Sequence, residues 1–451
     1  MPSNMNGAEL SLQILDIAFP EGFGVARQND LVYFVPGALP GDRVRVRVVA
    51  REKERFRFGQ IVAIEQESPF RVTPACAHTG VCGGCVFQNL LYEKQLELKE
   101  NYLAQTLRRI GDVHLGQVEV APIVPSVEQY YYRGKVEIFF GEQGSPSVGF
   151  RERVSPFESY TGRLVPIRHC PIFSATLERL LPLFSEYAVR VHAVARVKRT
   201  NQSLLRKVIV REAKWDKKLM ISLVVSGKDI TEGAWLLERV RRDFPELASL
   251  SAITKQRKEL LLGTPYMEEM LGQQRFRVYP QTFFQPNTLT AERLYESIAA
   301  LCRAGTHRRV LGLYCGTGPI EIGLSSFTGK IVGVDSDAEN IAAAIENCRI
   351  NQIRNCQFYR QTAERASGLR ISGPFDLIVI DPPRAGLTPD ALRFILGQGV
   401  PRLIYVSCNP STLARDLKRL REARYLPKKI IPFDFFPHGA HVETLVLLEN
   451  G

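Results

Sequence analysis

Three segments in the carboxyl-terminal third carry side chains that together could do covalent chemistry on a carbon centre. Cys408 lies in Val406-Ser407-Cys408-Asn409-Pro410, directly after the β-branched and aromatic run Arg402-Leu403-Ile404-Tyr405. That run reads as a buried strand, so the thiol stands at its carboxyl end, the rim where open α/β sheets bind ligands. Asp381 follows a second strand-like run, Phe375 to Ile380, and opens Asp381-Pro382-Pro383-Arg384-Ala385-Gly386. A third segment, Asp434 to Thr444, places Glu443 just before the apolar run Leu445 to Leu448. A thiol that attacks and a separate carboxylate that removes a proton make a constellation for covalent catalysis. A lone cysteine at a strand end is ordinarily a small buried hydrophobe; the three segments in order are what point to chemistry.

DPPRAG, YVSCNP and FPHGAHVET resemble the catalytic signatures of the RNA uracil-5-methyltransferases, which make 5-methyluridine with S-adenosylmethionine. The resemblance implies that the Cys408 thiolate adds to carbon 6 of uracil and activates carbon 5 toward the methyl group. It implies that Glu443 then removes the carbon 5 proton, and that Asp381 and Gln285 orient base or cofactor. Gln285 belongs to Phe283-Phe284-Gln285-Pro286-Asn287, which is similar to a further motif of the family. Asn287 also reads as a cap for a helix expected over Ala291 to Ala304.

The elements that would hold a cofactor lie between these motifs. Arg309-Val310-Leu311-Gly312-Leu313 reads as a strand, and Tyr314-Cys315-Gly316-Thr317-Gly318 as a turn whose small residues let backbone approach a ligand. Ile331 to Asp335 reads as a second strand ending in an acid placed to accept hydrogen bonds from ribose hydroxyls. A dinucleotide fingerprint is excluded, because Glu321 stands where its third glycine would be. By the resemblance, Tyr314, Gly316, Gly318, Asp335 and Asp381 line the S-adenosylmethionine site, Asn347 is structural, and Thr362-Ala363-Glu364 lies near the adenine. The chain departs from the family pattern at Gly312, where Asp is common, and at Pro319, where Asn is common.

Cys76, Cys82 and Cys85 form a C-x5-C-x2-C arrangement with flanking glycines, and three close thiolates want a fourth ligand. Spacing alone does not choose among Cys170, Cys302 and Cys348, and four thiolates suit zinc or a 4Fe-4S cluster. CGGC with the distant HCPI resembles the iron-sulfur subgroup of the same methyltransferases, which implies Cys170 as fourth ligand and a 4Fe-4S cluster. Methylation needs no redox step, so such a cluster would hold the domain together or shape an RNA surface.

Before the cysteines, short strand-like runs alternate with Gly and Pro turns, as in a small barrel. In Arg43-Val44-Arg45-Val46-Arg47-Val48 the period of two sends valines inward and arginines outward. Arg51, Lys53, Arg55 and Arg57 extend the charge, with Phe56 and Phe58 available for stacking on bases. GFGVAR and FVPGALPGDRV resemble a TRAM domain, an OB-like barrel of RNA-modifying enzymes. After the cysteines, Leu90 to Ile110 reads as one amphipathic helix ended at Gly111. Tyr130-Tyr131-Tyr132-Arg133-Gly134-Lys135 mixes aromatics and cations, as RNA-binding strands and ordinary strand edges both do. Lys198, Arg199, Arg206, Lys207, Arg211, Lys214, Lys217 and Lys218 make a second basic region.

The whole chain has 451 residues and a formal net charge of +12, which favours a polyanionic partner. No apolar run of membrane-spanning length is present and the first residues lack a signal peptide's features, so the expectation is a cytoplasmic protein with no membrane partner. Nine cysteines in such a setting suggest metal or catalysis before disulfides.

The expected architecture is an α/β multidomain chain: an OB-like β-barrel (TRAM) over 1–68, a central α/β domain with the cysteine cluster over 69–280, and a Rossmann-like methyltransferase domain over 281–451. The expected substrate is RNA, 23S rRNA ahead of tRNA, handled by a monomer. Two rivals stand beside it: methylation of a base amino group, for which DPPR also suits the loop, and a nonenzymatic iron-sulfur RNA-binding protein.

Overall fold

Strand Arg309–Leu313 pairs in parallel with Lys330–Asp335 on one side and with Leu377–Ile380 on the other. From it the chain winds outward to Cys356–Arg360, then returns to build Leu377–Ile380 and Arg402–Ser407 on the opposite side. The carboxyl ends of Arg309–Leu313 and Leu377–Ile380 therefore flank the point where the winding reverses, which is where open α/β sheets leave a crevice. Glu443–Asn450 runs antiparallel to Arg402–Ser407, and Tyr425–Phe433 runs antiparallel to Glu443–Asn450. The computed structural model that gives this topology describes residues 7–49, 56–142, 146–157, 162–197, 205–226, 230, 232–254, 257–303, 305, 308–368 and 374–451.

An eighth strand of this sheet comes from far upstream: Glu119–Val120 pairs in parallel with Tyr425–Phe433. Helix Tyr92–Arg109 comes with it. Its Leu103 and Leu107 share one core with Leu311, Val332, Ile380, Tyr405 and Val446. The helix ends beside Gly111, where a side chain would press within 2.8 Å of the Leu107 carbonyl oxygen. A seven-stranded sheet built from strands between Lys135 and Gly263 carries a separate core, into which Tyr132 and Cys170 pack.

At the amino-terminal end a six-stranded sheet includes Arg43–Val49, in which Val44, Val46 and Val48 are fully buried and the arginines face outward, as the alternation predicts. The outward face is not bare cation, because Arg47 pairs with Glu9 at 3.4 Å and Arg45 with Glu65 at 4.0 Å. Phe58 is buried and Phe56 half-buried, and the two pack edge-on against each other and beside Phe34, so these rings lie in an aromatic cluster and do not stand free. Arg51, Lys53 and Arg55 lie outside the described residues. Among the described residues no helix is long and apolar enough to cross a membrane.

The helix Tyr92–Arg109 buries a charge. Lys99 and Asp434 are both fully buried, with Nζ donating to Oδ1 at 2.7 Å, while Tyr92 donates to Oδ2 at 2.9 Å. Removing one partner strands the other charge away from water. Lys99→Met is therefore expected to destabilise the protein by about 3–5 kcal/mol, read from urea unfolding, even though methionine fits the volume.

Candidate active site

Cys408 immediately follows Ser407, which pairs with Thr444 across the antiparallel strands, so the next position of that register sets Cys408 against Glu443. On the other side Ile380 pairs with Tyr405, which brings Asp381 to the same rim. The Asp381 amide donates to the Leu313 carbonyl at 3.2 Å, tying it to the strand that enters the glycine turn. Thiol and both carboxyls, expected from three separate motifs, thus meet at one edge.

Electrostatics follow from this crowding. Burial pushes the half-buried Cys408 thiol up to about 11, with Glu443 and Asp381 adding to the rise and Arg384 opposing it. Burial and Asp381 hold the Glu443 carboxyl well above the ordinary range, and burial pushes Asp381 up to about 7. Arg384 is the cation that bears on both Cys408 and Glu443. Its carbonyl accepts hydrogen bonds from Asn409 Nδ2 and Thr412 Oγ1, both at 3.1 Å, which locks the Asp381–Gly386 loop to the segment carrying Cys408. Asn409 caps helix Pro410–Glu422, accepting from the Ser411 amide, so the thiol sits one residue outside a helix amino terminus.

Arg384 Nη2 donates to His441 Nε2 at 3.0 Å, and burial with the nearby guanidinium pushes this imidazole down to about 4. His441 is therefore neutral, with its proton on Nδ1. Neither residue had been given a role, although both stand inside the quoted motifs DPPRAG and FPHGAHVET.

The loop that delivers Glu443 is held from upstream. Besides the Lys99–Asp434 pair, Gln95 Oε1 accepts from the His438 amide at 2.9 Å, and the Val86 and Phe87 amides donate to the His438 carbonyl at 2.7 and 2.9 Å. The Tyr132 hydroxyl donates to the Pro437 carbonyl at 3.1 Å, and Tyr130 stacks on His438. The tyrosine cluster thus fastens the loop, while Tyr131 alone of the three is exposed. A signal for this was present in the helix: Gln95 and Lys99 fall on the same stripe as Tyr92 and Leu103, and polar residues on an apolar stripe need buried partners.

In the glycine turn Tyr314, Gly316 and Gly318 all have left-handed backbone, with φ of 61°, 55° and 81°. A non-glycine residue there is strained, and such strain gathers at functional sites. A side chain on Gly316 would meet nothing within 4 Å, so the turn faces open space, whereas one on Gly318 would strike the Phe358 ring. Asp335 braces the turn: its Oδ2 accepts from the Gly316 amide at 3.0 Å, and its Oδ1 from the Asp337 amide at 2.8 Å. Oδ2 keeps a lone pair for a ligand. Asn347 is structural as expected, accepting from the Arg277 amide and donating to the Thr317 carbonyl. Asn287 Oδ1 accepts from the Thr290 amide, and the helix it leads runs over Thr288–Arg303, three residues earlier than expected. Gln285 is half-buried between cleft-lining Phe284 and Pro286. Glu364 accepts from Thr388 Oγ1 at 2.8 Å.

A cleft of about 890 Å³ opens beside Arg384 and His441, and Arg133, Lys135, Lys207 and Arg211 line it, with no Asp or Glu among the described residues that line it. Of the second basic region only Lys207 and Arg211 reach it; Lys198 and Arg199 lie outside the described residues. Arg211 is buried, its Nη2 donates to the Thr282 carbonyl at 2.7 Å, and its Nε has no partner among the described residues.

Cys76, Cys82, Cys85 and Cys170 line one cavity of about 620 Å³. Cys302 and Cys348 lie elsewhere, in the core with Leu294 and Val310. Burial pushes the Cys85 thiol up to about 12 and Cys170 to about 11, and the neighbouring thiols raise each further. Among the described residues no group of three or more His, Cys, Asp or Glu side chains is drawn close enough to hold a metal ion.

A model of the family tRNA (Uracil-5-)-methyltransferase matches residues 215–451. An uncharacterized RNA methyltransferase of Caldanaerobacter subterraneus is 32% identical, over 98% of this chain and 99% of its own length. Another, from Clostridium acetobutylicum, is 33% identical over 97% and 96%. Among solved structures, Pyrococcus abyssi tRNA (uracil-54, C5)-methyltransferase in complex with S-adenosyl-L-homocysteine is 26% identical, with a TM-score of 0.74 over 97% of this chain and 100% of that one.

Proposed function

Because the chain belongs to the tRNA (uracil-5-)-methyltransferase family and is an RNA uracil-5-methyltransferase, we propose that it methylates carbon 5 of a specific uridine through a covalent bond between Cys408 and the pyrimidine. The observation that carries this reading is the strand register that sets the Cys408 thiol against the Glu443 carboxyl, with Asp381 at the same rim.

The methyl donor is S-adenosylmethionine, which supplies an electrophilic methyl on a sulfonium. The open glycine turn of Tyr314, Gly316 and Gly318 and the free lone pair of Asp335 suit its adenosyl part. Cys408 Sγ bonds to carbon 6 of the uracil, and the ring electrons shift toward carbon 4 oxygen to make carbon 5 nucleophilic. Once carbon 5 carries the methyl, Glu443 takes its proton, and the electron pair of that C–H bond expels the Cys408 thiolate and restores the ring. Arg384 stabilises negative charge on the thiolate, and His441 fixes the guanidinium. Asp381 and Gln285 orient base or cofactor.

The target uridine must leave its stack to reach this rim. The cations that line the cleft, Arg133, Lys135 and Lys207, and the buried Arg211 suit the phosphates on either side of it. We read residues 1–68 as a TRAM barrel that adds RNA contacts, 69–280 as the central domain and 281–451 as a Rossmann-like catalytic domain. The favoured substrate is 23S rRNA. The second reading is tRNA, favoured by the likeness to the Pyrococcus protein. Mapping 5-methyluridine in rRNA and tRNA from cells lacking this protein decides it: one site disappears, and the purified protein restores it. Unchanged 5-methyluridine in both pools would reject the function.

We further assign Cys76, Cys82, Cys85 and Cys170 to a 4Fe-4S cluster. Four cysteines lining one cavity suit zinc or a cluster alike, and the likeness of CGGC and HCPI to the iron-sulfur subgroup favours the cluster. The peptide leaving Cys85 is the one whose Val86 amide holds the His438 carbonyl, so the cluster would brace the loop that delivers Glu443. Cys85→Ala is expected to lose bound iron and sulfide together and to unfold at lower temperature. Zinc in place of iron in anaerobically purified protein would overturn the assignment.

A further inference from the structure

Position 312 holds a glycine, and the space beside it is taken. A methyl-sized side chain there would stand 1.9 Å from Glu321 Oε1 and 2.8 Å from its carboxyl carbon. Glu321 projects from the short helix Pro319–Leu324 that follows the glycine turn, and its carboxyl occupies the volume that any larger residue at 312 would fill. It is 3% exposed, and Oε2 has no hydrogen-bond partner among the described residues.

An unpaired buried carboxyl oxygen is costly, and in a native protein it calls for a partner such as a ligand, an ion or an ordered water. The groups that bear on Glu321 do not complete it. Burial pushes the carboxyl up to about 8, its own backbone amide opposing and Asp381, Cys348 and Asp335 adding to the rise. Glu321 in turn raises the thiols of Cys315 and Cys356 and the phenol of Tyr295. It therefore lies between the glycine turn, the Asp335 strand end and the Asp381 strand end, with acids and thiols around it.

Such a position calls for a cation that can donate a hydrogen bond. The methyl donor carries two positive centres: the sulfonium has no N–H, whereas the α-ammonium of its amino-acid end has three. Taking the cofactor reading above as its basis, we propose that Glu321 is a cofactor-binding residue that receives the α-ammonium of S-adenosylmethionine on Oε2, and that Gly312 is small in order to admit it. The carboxylate that the family pattern places on the strand at 312 is thus supplied by the helix that faces it. The two positions act as a pair: a side chain on the strand and a carboxyl from the helix cannot both occupy the space.

The test is binding, not turnover. Calorimetry compares S-adenosylhomocysteine with its des-amino analogue, which keeps the adenosine, thioether and carboxylate but lacks the ammonium. Glu321→Gln, nearly isosteric, is expected to weaken S-adenosylhomocysteine about tenfold or more, the worth of one charge-assisted hydrogen bond, and to leave the analogue unchanged. Gly312→Asp alone is expected to lose binding of both ligands by steric conflict. Gly312→Asp combined with Glu321→Ser is expected to restore preference for the amino-bearing ligand. Because the readout is a ratio between two ligands on one protein, partial misfolding does not imitate it. Equal weakening of both ligands by Glu321→Gln, or no weakening of either, overturns the assignment. Wild-type protein that binds neither ligand would instead remove the cofactor reading on which it rests.

Discussion

Cys408→Ala is expected to abolish methyl transfer to RNA, by at least about a thousandfold in single turnover, and to leave no covalent protein–RNA complex on a denaturing gel. The effect is this large because no neighbouring group can substitute. Carbon 5 of uracil is a weak nucleophile until a thiolate adds to carbon 6, and Cys408 is the thiol that Glu443, Asp381 and Arg384 surround. The loss is not a folding defect, since Cys408 is half-buried at a strand end and the truncation leaves the apolar cores untouched. Binding of S-adenosylhomocysteine should be retained. The same variant separates the competing chemistry, because methylation of a base amino group needs no thiol. A fully active Cys408→Ala protein would reject the covalent mechanism.

The resting thiol is protonated, being pushed up to about 11, so adduct formation with RNA is expected to quicken as pH rises across the neutral range. Arg384 opposes that shift, and Arg384→Met should slow adduct formation at neutral pH more than at high pH.

Glu443→Gln is expected to do the opposite of Cys408→Ala on the gel. The thiol still adds and carbon 5 still accepts the methyl, but the proton has nowhere to go, so a methylated covalent complex accumulates. Turnover should fall by about 10²–10⁴-fold, the usual contribution of a positioned base. Burial and Asp381 hold the Glu443 carboxyl well above the ordinary range. A base must be ionised to act, so in wild-type protein release of the adduct should speed up with rising pH. The Gln variant should lose that dependence. If Glu443→Gln turned over normally with no trapped complex, the proton would have to leave by another route.

Much of the site was legible from local pattern. The apolar runs before Asp381 and Cys408 are buried strands of a sheet covered on both faces, and period and composition mark such strands in the sequence. The alternation over Arg43–Val49 fixed which face of that strand is buried, although Glu9 and Glu65 take up part of its outward charge. The glycine turn and the capping role of Asn287 likewise depend on neighbours a few residues away.

What the chain alone determined, then, is which segments form strands and helices and which chemical groups stand at their ends, because side-chain period, turn chemistry and capping are short-range properties. Only the tertiary structure decided which ends meet. The antiparallel return of Glu443–Asn450 sets the acid against the thiol, since register comes from packing one face of each strand into a common core. The burial of Lys99 against Asp434, 335 residues apart, follows from the same cause, since desolvation is fixed only when distant segments close on one another, and the filling of the space at Gly312 by Glu321 from the helix after the glycine turn is a matter of volume that side-chain period does not show.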